Sequence, residues 1–90
     1  MDELALWRRK LRLRAAKRGF LEVELFLRPF VADGLTGLGR DELIQFERLI
    51  DLEDLDLWEV ILGRTAPPPG VAAELLERIR RAGRAGKGAI

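Results

Sequence analysis

The sequence predicts an all-α protein, a small five-helix bundle whose second helix is kinked. Three observations lead there. Apolar residues recur at helical rather than alternating spacing through most of the chain. At 48% hydrophobic and 34% charged over 90 residues, there is enough apolar material for one modest core and enough charge to keep its surface wet. Turn signals are few and fall between the periodic segments, at Gly19, Gly34–Gly39, Gly63 and Pro67–Gly70. On this reading residues 1–82 form a single helical domain, and 83–90 form a flexible basic tail.

The first helix is expected from about Glu3 to Lys17. Asp2 is placed to cap it, and Asp2 and Glu3 suit the positive end of its dipole. Leu4, Trp7, Leu11 and Ala15 make the inward stripe, and cations take the rest. Seven of the eleven residues from Arg8 to Arg18 are cationic, whereas Arg28 is the only cation in the following eleven.

The segment Phe20–Val31 is ambiguous locally. Leu21–Leu25 alternates as a strand would, but no second alternating run exists to pair with it. As a helix it gathers Phe20, Val23, Leu27, Phe30 and Val31 on one face and sets Glu24 four residues before Arg28, a favourable pairing order. Pro29 removes one backbone bond and is expected to kink the helix. Glu22 then stands off the main stripe, near Leu25 and Phe26. If the helix ran through Gly19, Arg18 and Glu22 would share a face and could pair.

Residues 33–39 read as a loop. Helix three is expected over Arg40–Asp51, with Gly39 as N-cap, Glu42 at the capping-box position, and Leu43, Phe46, Leu49 and Ile50 buried. Asp54 is expected to cap a short helix Leu55–Leu62, which Gly63 stops and whose Leu57, Trp58 and Ile61 enter the core. Pro67-Pro68-Pro69-Gly70 is a stiff connector to a fifth helix, about Val71–Ala82, with Val71, Leu75, Ile79 and Ala82 inward. The glycine-rich remainder has little apolar surface with which to order itself.

Composition excludes much chemistry. There is no cysteine, histidine or tyrosine, and Thr36 and Thr65 are the only hydroxyl-bearing aliphatic side chains. Thiolate and imidazole metal ligands, the usual general base and nearly all nucleophiles are therefore missing. Neither an enzyme nor a metal site is expected. No glycine-rich phosphate loop follows a strand, so no tightly bound dinucleotide is expected either. No apolar run approaches the roughly 20 residues of a membrane span. The basic N-terminal segment leads directly into the next motif, which reads as part of the fold of a bacterial, cytoplasmic protein rather than a presequence.

Charge is segregated along the chain. Residues 1–18 carry net +5, residues 19–63 net −8 and residues 64–90 net +4. Such asymmetry can steer a partner of complementary field, or hold two parts of a bundle together. The basic first helix leaves three readings open: a solvated face, a protein-docking surface, or a nucleic-acid contact, as in a small regulatory module.

Three stretches in order carry a family resemblance. They are Lys17-Arg18-Gly19-Phe20-Leu21-Glu22, then Leu43-Ile44-Gln45-Phe46-Glu47-Arg48-Leu49-Ile50-Asp51, then Asp54-Leu55-Asp56-Leu57-Trp58-Glu59-Val60-Ile61-Leu62-Gly63. The chain resembles, over roughly residues 8–63, the SdhE-type assembly factors that promote flavin attachment to succinate dehydrogenase. Glu24 stands where that family usually has aspartate, Val60 where tryptophan is frequent, and Phe20 where methionine is common. The resemblance implies a five-helix bundle that binds the flavoprotein subunit of succinate dehydrogenase or fumarate reductase and acts on that partner's FAD, with an antitoxin-like role as the alternative the family also suggests; a monomer is expected. It places the partner contacts at Arg18, Gly19, Phe20, Glu22 and Glu24, flanked by Arg14 and Lys17.

Overall fold

The computed structural model describes residues 2–33 and 35–88. Five α-helices follow one another: α1 Glu3–Ala16, α2 Leu21–Asp33, α3 Arg40–Ile50, α4 Asp54–Ile61 and α5 Ala73–Gly88, with a 3-10 turn at Leu35–Gly37. There is no strand among the described residues, so the alternation at Leu21–Leu25 yields to the helical pattern. The helix has an apolar face to bury and no edge to pair with.

Helix α1 begins where expected: the Asp2 carboxylate accepts a hydrogen bond from the Ala5 N–H at 2.7 Å. Leu11 and Ala15 are buried, while Leu4 and Trp7 pack against the core from its edge. Helix α2 buries Val23, Phe26, Leu27, Phe30 and Val31; Phe26 joins the predicted stripe, while Phe20, ahead of the helix, is half-buried. Pro29 lies within it and removes one N–H from its ladder.

The loop before α3 contributes more than a loop should. Leu35 and Leu38 are fully buried because the 3-10 turn folds both into the bundle. Gly39 caps α3, and its N–H donates to the Glu42 carboxylate at 3.3 Å, the half of the capping box that glycine allows.

Asp54 is not the N-cap of α4. That position belongs to Glu53, which makes no side-chain cap bond, and Asp54 is the first helical residue with its carboxylate turned to Arg18. A long-range ion pair displaces the local cap. The far end of α4 closes as predicted at Gly63, whose φ is +79°. Gly63 N–H donates to the Val60 carbonyl and Arg64 N–H to the Glu59 carbonyl, at 3.0 and 2.9 Å, a Schellman closure.

The largest difference from expectation is α5. It begins two residues after Val71 and does not stop at Ala82 but continues to Gly88; Ala89 and Ile90, the end of the expected tail, lie outside the described residues. The reason is contact made by absence. A Cβ on Gly83 would overlap the Phe26 ring, and one on Gly86 would overlap Pro29. The glycines thus let the α5 backbone lie directly on α2, and dispersion contacts take the place of large buried side chains. Leu75, Leu76 and Ile79 bury the upstream part of the same helix. The proline connector is held to α3 by Arg48, which donates to the Pro69 carbonyl at 3.1 Å, and by Gln45, which accepts from Ala72 N–H at 3.0 Å.

The core is wholly apolar: twenty hydrophobic residues are buried and, among the described residues, no polar or charged residue is. Each large one contributes about 1.5–3 kcal/mol relative to exposure. No described helix is long and apolar enough to cross a membrane.

Candidate functional site: the turn between the first two helices

Between α1 and α2 the chain reverses in four residues, Lys17 to Phe20. Gly19 makes this possible with φ +86°. The helix therefore does not run through the glycine, and Arg18 and Glu22 do not share a face or pair. A Cβ at Gly19 would meet nothing within 4 Å. The requirement is conformational, and any other L-residue there costs about 1–2 kcal/mol of backbone strain.

Glu24 closes the turn. Its Oε2 accepts from Arg18 N–H at 2.9 Å and from Gly19 N–H at 2.6 Å. Two consecutive backbone N–H groups converging on one oxygen form an anion-binding nest, here filled by the chain's own carboxylate. The expected Glu24–Arg28 pair is absent because Glu24 is already occupied. From the first turn of α2, the longer arm of glutamate reaches back to these amides.

Arg18 braces the turn from behind. Its Nε donates to Asp54 Oδ1 at 2.5 Å, Nη1 to the Ile50 carbonyl at 2.6 Å and Nη2 to the Leu52 carbonyl at 2.6 Å. Its side chain is only 10% exposed. The guanidinium thus meets the negative end of α3, where its dipole and unpaired carbonyls favour a cation, and fastens the α1–α2 turn to the α3–α4 corner. Arg14 is likewise engaged internally, with Glu47 at 3.2 Å and with Asp51. The predicted charge segregation thus does hold α1 to α3.

What remains facing outward is Glu22, Lys17 and Gly19, with Phe20 half-buried. Glu22 and Lys17 have no hydrogen bond or ion pair to any described residue. Phe20 leans on Trp58, ring centroids 6.5 Å apart, and Trp58 stands edge-on to Phe26 at 5.9 Å. Apolar side chains stay exposed nearby: Leu21 at 60%, Leu25 at 45% and Leu55 at 65%. A recess of about 710 Å³ beside the turn is lined by Arg14, Lys17, Arg18, Phe20, Glu53, Asp54 and Leu55.

The structure divides the seven predicted contact residues by job. Arg14, Arg18 and Glu24 are bonded within the chain and set the geometry; Lys17, Gly19, Phe20 and Glu22 are presented. Sequence reasoning missed Asp54 as the anchor of Arg18, and Leu21 and Leu55 as exposed neighbours. Leu21 could have been found, because it lies with Leu25 opposite the buried stripe of α2. Among the described residues, no cluster of three or more acidic side chains is arranged to hold a metal.

Comparison with known proteins converges on one family. The family model described as a flavinator of succinate dehydrogenase matches residues 9–82. The FAD assembly factor SdhE of Acetobacter pasteurianus is 31% identical over 78 residues, covering 87% of this chain and 72% of that protein. The SdhE of Shewanella oneidensis is 31% identical over 66 residues, covering 73% of this chain and 80% of its own. The mitochondrial succinate dehydrogenase assembly factor 2 of Cryptococcus neoformans is 33% identical over 81 residues, 89% of this chain but 46% of that longer protein. No solved structure matches the chain.

Proposed function

The chain belongs to the family of succinate dehydrogenase flavinators, and on that premise we propose that it binds the flavoprotein subunit of succinate dehydrogenase, or of fumarate reductase, and promotes covalent attachment of that subunit's FAD. The observation that carries this reading is Glu22: a carboxylate with no partner among the described residues, held beside a braced turn among exposed leucines. A side chain so placed contributes nothing evident to its own fold and suits an interface.

The protein acts here as a positioning surface and not as a catalyst. With no thiol, imidazole or phenol, its own side chains offer few routes to bond formation. Holding flavin and acceptor side chain of the partner in reacting geometry can supply a large part of the barrier by orientation alone. Gly19 lets the partner approach the backbone, Phe20 and the leucines give apolar contact, and Glu22 and Lys17 give polar contact. Arg18 and Glu24 work one step back, by fixing the turn. A regulatory role through nucleic acid is less well supported, since Arg8 and Arg14 of α1 and Arg18 of the turn are already engaged within the chain.

The test is Glu22→Ala co-expressed with the flavoprotein subunit, reading covalent flavin fluorescence of that subunit in a denaturing gel. The variant should lose most of the fluorescence and the co-purifying complex. Its stability should stay within about 0.5 kcal/mol of the parent, as expected for an unpartnered surface position. Full flavinylation with an intact complex would overturn the reading.

A further inference from the structure

A second surface, on the other side of α1 from its contacts with α3, is built for a ligand of a different kind. Helices α1 and α2 leave between them a groove of about 490 Å³, within the range of specific binding clefts. Its floor is apolar and made of small residues, among them Ala15, Ala16, Val31 and Ala32. Leu13, 61% exposed, stands at the rim. Arg9 and Arg12 approach from α1 and Arg28 from α2.

These three arginines differ from their neighbours. Arg8 donates to the Leu38 carbonyl, Arg14 pairs with Glu47, and Arg18 is clamped to Asp54. Arg9, Arg12 and Arg28 make no hydrogen bond or ion pair with any described residue. The one carboxylate in the groove, Glu24, is held at its end by the Arg18 and Gly19 amides and neutralises none of them. Three free guanidinium groups around an apolar floor leave a net positive cleft with an unsatisfied demand for carboxylate.

From this complementarity we infer that the α1–α2 groove docks an acidic amphipathic helix of a protein partner. Its apolar anchors seat on the alanine floor beside Leu13, and its flanking Asp or Glu side chains meet Arg9, Arg12 and Arg28. This is the helix-in-groove mode of recognition, with arginine forks reading the carboxylates. Glu24 orients the occupant, because its negative charge turns acidic side chains toward the opposite end. A bilayer would satisfy the arginines but, being flat, leave the recessed floor empty. A nucleic acid would set its phosphates against exposed Leu13. The inference does not depend on the identity of the flavoprotein partner.

The probe is a synthetic helical peptide with leucines at i, i+3, i+4 and i+7 flanked by glutamates, beside a control with lysines in place of the glutamates. Each is titrated into the full chain, following backbone-amide chemical shifts and fluorescence anisotropy. The acidic peptide should perturb Arg9, Arg12, Leu13, Ala16, Arg28 and Ala32, and should bind more tightly as salt is lowered. A double variant, Arg12→Glu with Arg28→Glu, should weaken it about tenfold or more while leaving the unfolding midpoint in place. Glu22→Ala should leave peptide binding unchanged, so that failure of the turn and failure of the groove are read separately. Equal binding of the two peptides, no shift at millimolar peptide, or undiminished binding by the double variant would overturn the inference. It would equally be overturned if phosphatidylglycerol vesicles or duplex nucleic acid displaced the acidic peptide from these residues, or if the variant abolished a self-association of the chain at the groove.

Discussion

Two corners of the molecule use the same parts to different ends. At the α1–α2 turn and at the exit from α4, a glycine with positive φ reverses the chain, Gly19 at +86° and Gly63 at +79°. Near each, a largely buried arginine donates to carbonyls where a helix ends: Arg18 to Ile50 and to Leu52 just beyond α3, Arg80 to Val60 and Ile61 of α4. The difference lies in how the glycine's own neighbourhood is satisfied. At Gly63 the helix backbone closes on itself, and no side chain is needed. At Gly19 the amides depend on a side chain, Glu24, and the brace depends on residues more than thirty positions away. The first corner ends a helix. The second holds an exposed segment in a fixed attitude, which backbone closure alone would not do.

Arginine truncation separates the corners most strongly. Arg18→Ala leaves the Asp54 carboxylate and two carbonyls without their donor, and should cost about 2–4 kcal/mol. Arg80→Ala, whose carboxylate partner Glu77 is half-exposed, should cost about 1–2 kcal/mol. Urea unfolding of the two variants measures the gap, and equal losses would abolish the distinction.

Glu24 sharpens it next. Glu24→Ala should cost about 1–2 kcal/mol by freeing two amides, and Glu24→Gln should recover roughly half of that, since an acceptor remains but its charge is gone. Flavinylation of the partner should fall with Glu24→Ala and return in part with Glu24→Gln. A loss of stability with unchanged flavinylation would reduce Glu24 to a structural cap.

The smallest effect is at the Arg80 corner and depends on pH. The Glu77 carboxyl is held below the usual glutamate range, first by its hydrogen bond from Arg80, with the charges of Arg80, Arg84 and Arg81 adding to it and partial burial opposing. A lowered folded-state pKa means that its stabilisation is complete above the ordinary carboxylate range and is lost as pH falls through the lowered value. Exposure keeps the effect small. Comparing acid unfolding of the parent chain with Glu77→Gln should show a slightly shallower pH dependence in the variant; an identical profile would remove Glu77 from the account.

How far these features could be read from the sequence depended on the range of the interactions behind them. The Asp2 cap, the Gly63 stop and the buried face of α3 follow from rules spanning a few residues, and they appear as expected; on α4, Leu57 and Ile61 are buried as expected, but Val60 is buried too and Trp58 only packs against the core. Asp54 follows the same local rule and breaks it, because Arg18, distant in the chain, takes its carboxylate. Leu35 and Leu38 are buried in a segment that reads as a glycine-rich loop; only the packing of α1 and α2 against it reveals why. In the site, Lys17 and Glu22 were recognisable as residues off the core stripe, whereas Phe20 reads as part of it and stands half-buried against Trp58. That Arg18 and Glu24 look inward could not be seen without the reversal at Gly19.

The end of α5 carries a consequence for how the chain tolerates change. Gly83 and Gly86 lie where composition suggests looseness, yet each has an aromatic or proline ring where its side chain would be. A methyl group at either position would pry α5 away from α2, and α2 carries Glu22, Glu24 and one wall of the arginine-lined groove. The plainest residues in the chain are therefore among its least replaceable, and a variant library would find its intolerance there, away from the exposed residues of the α1–α2 turn.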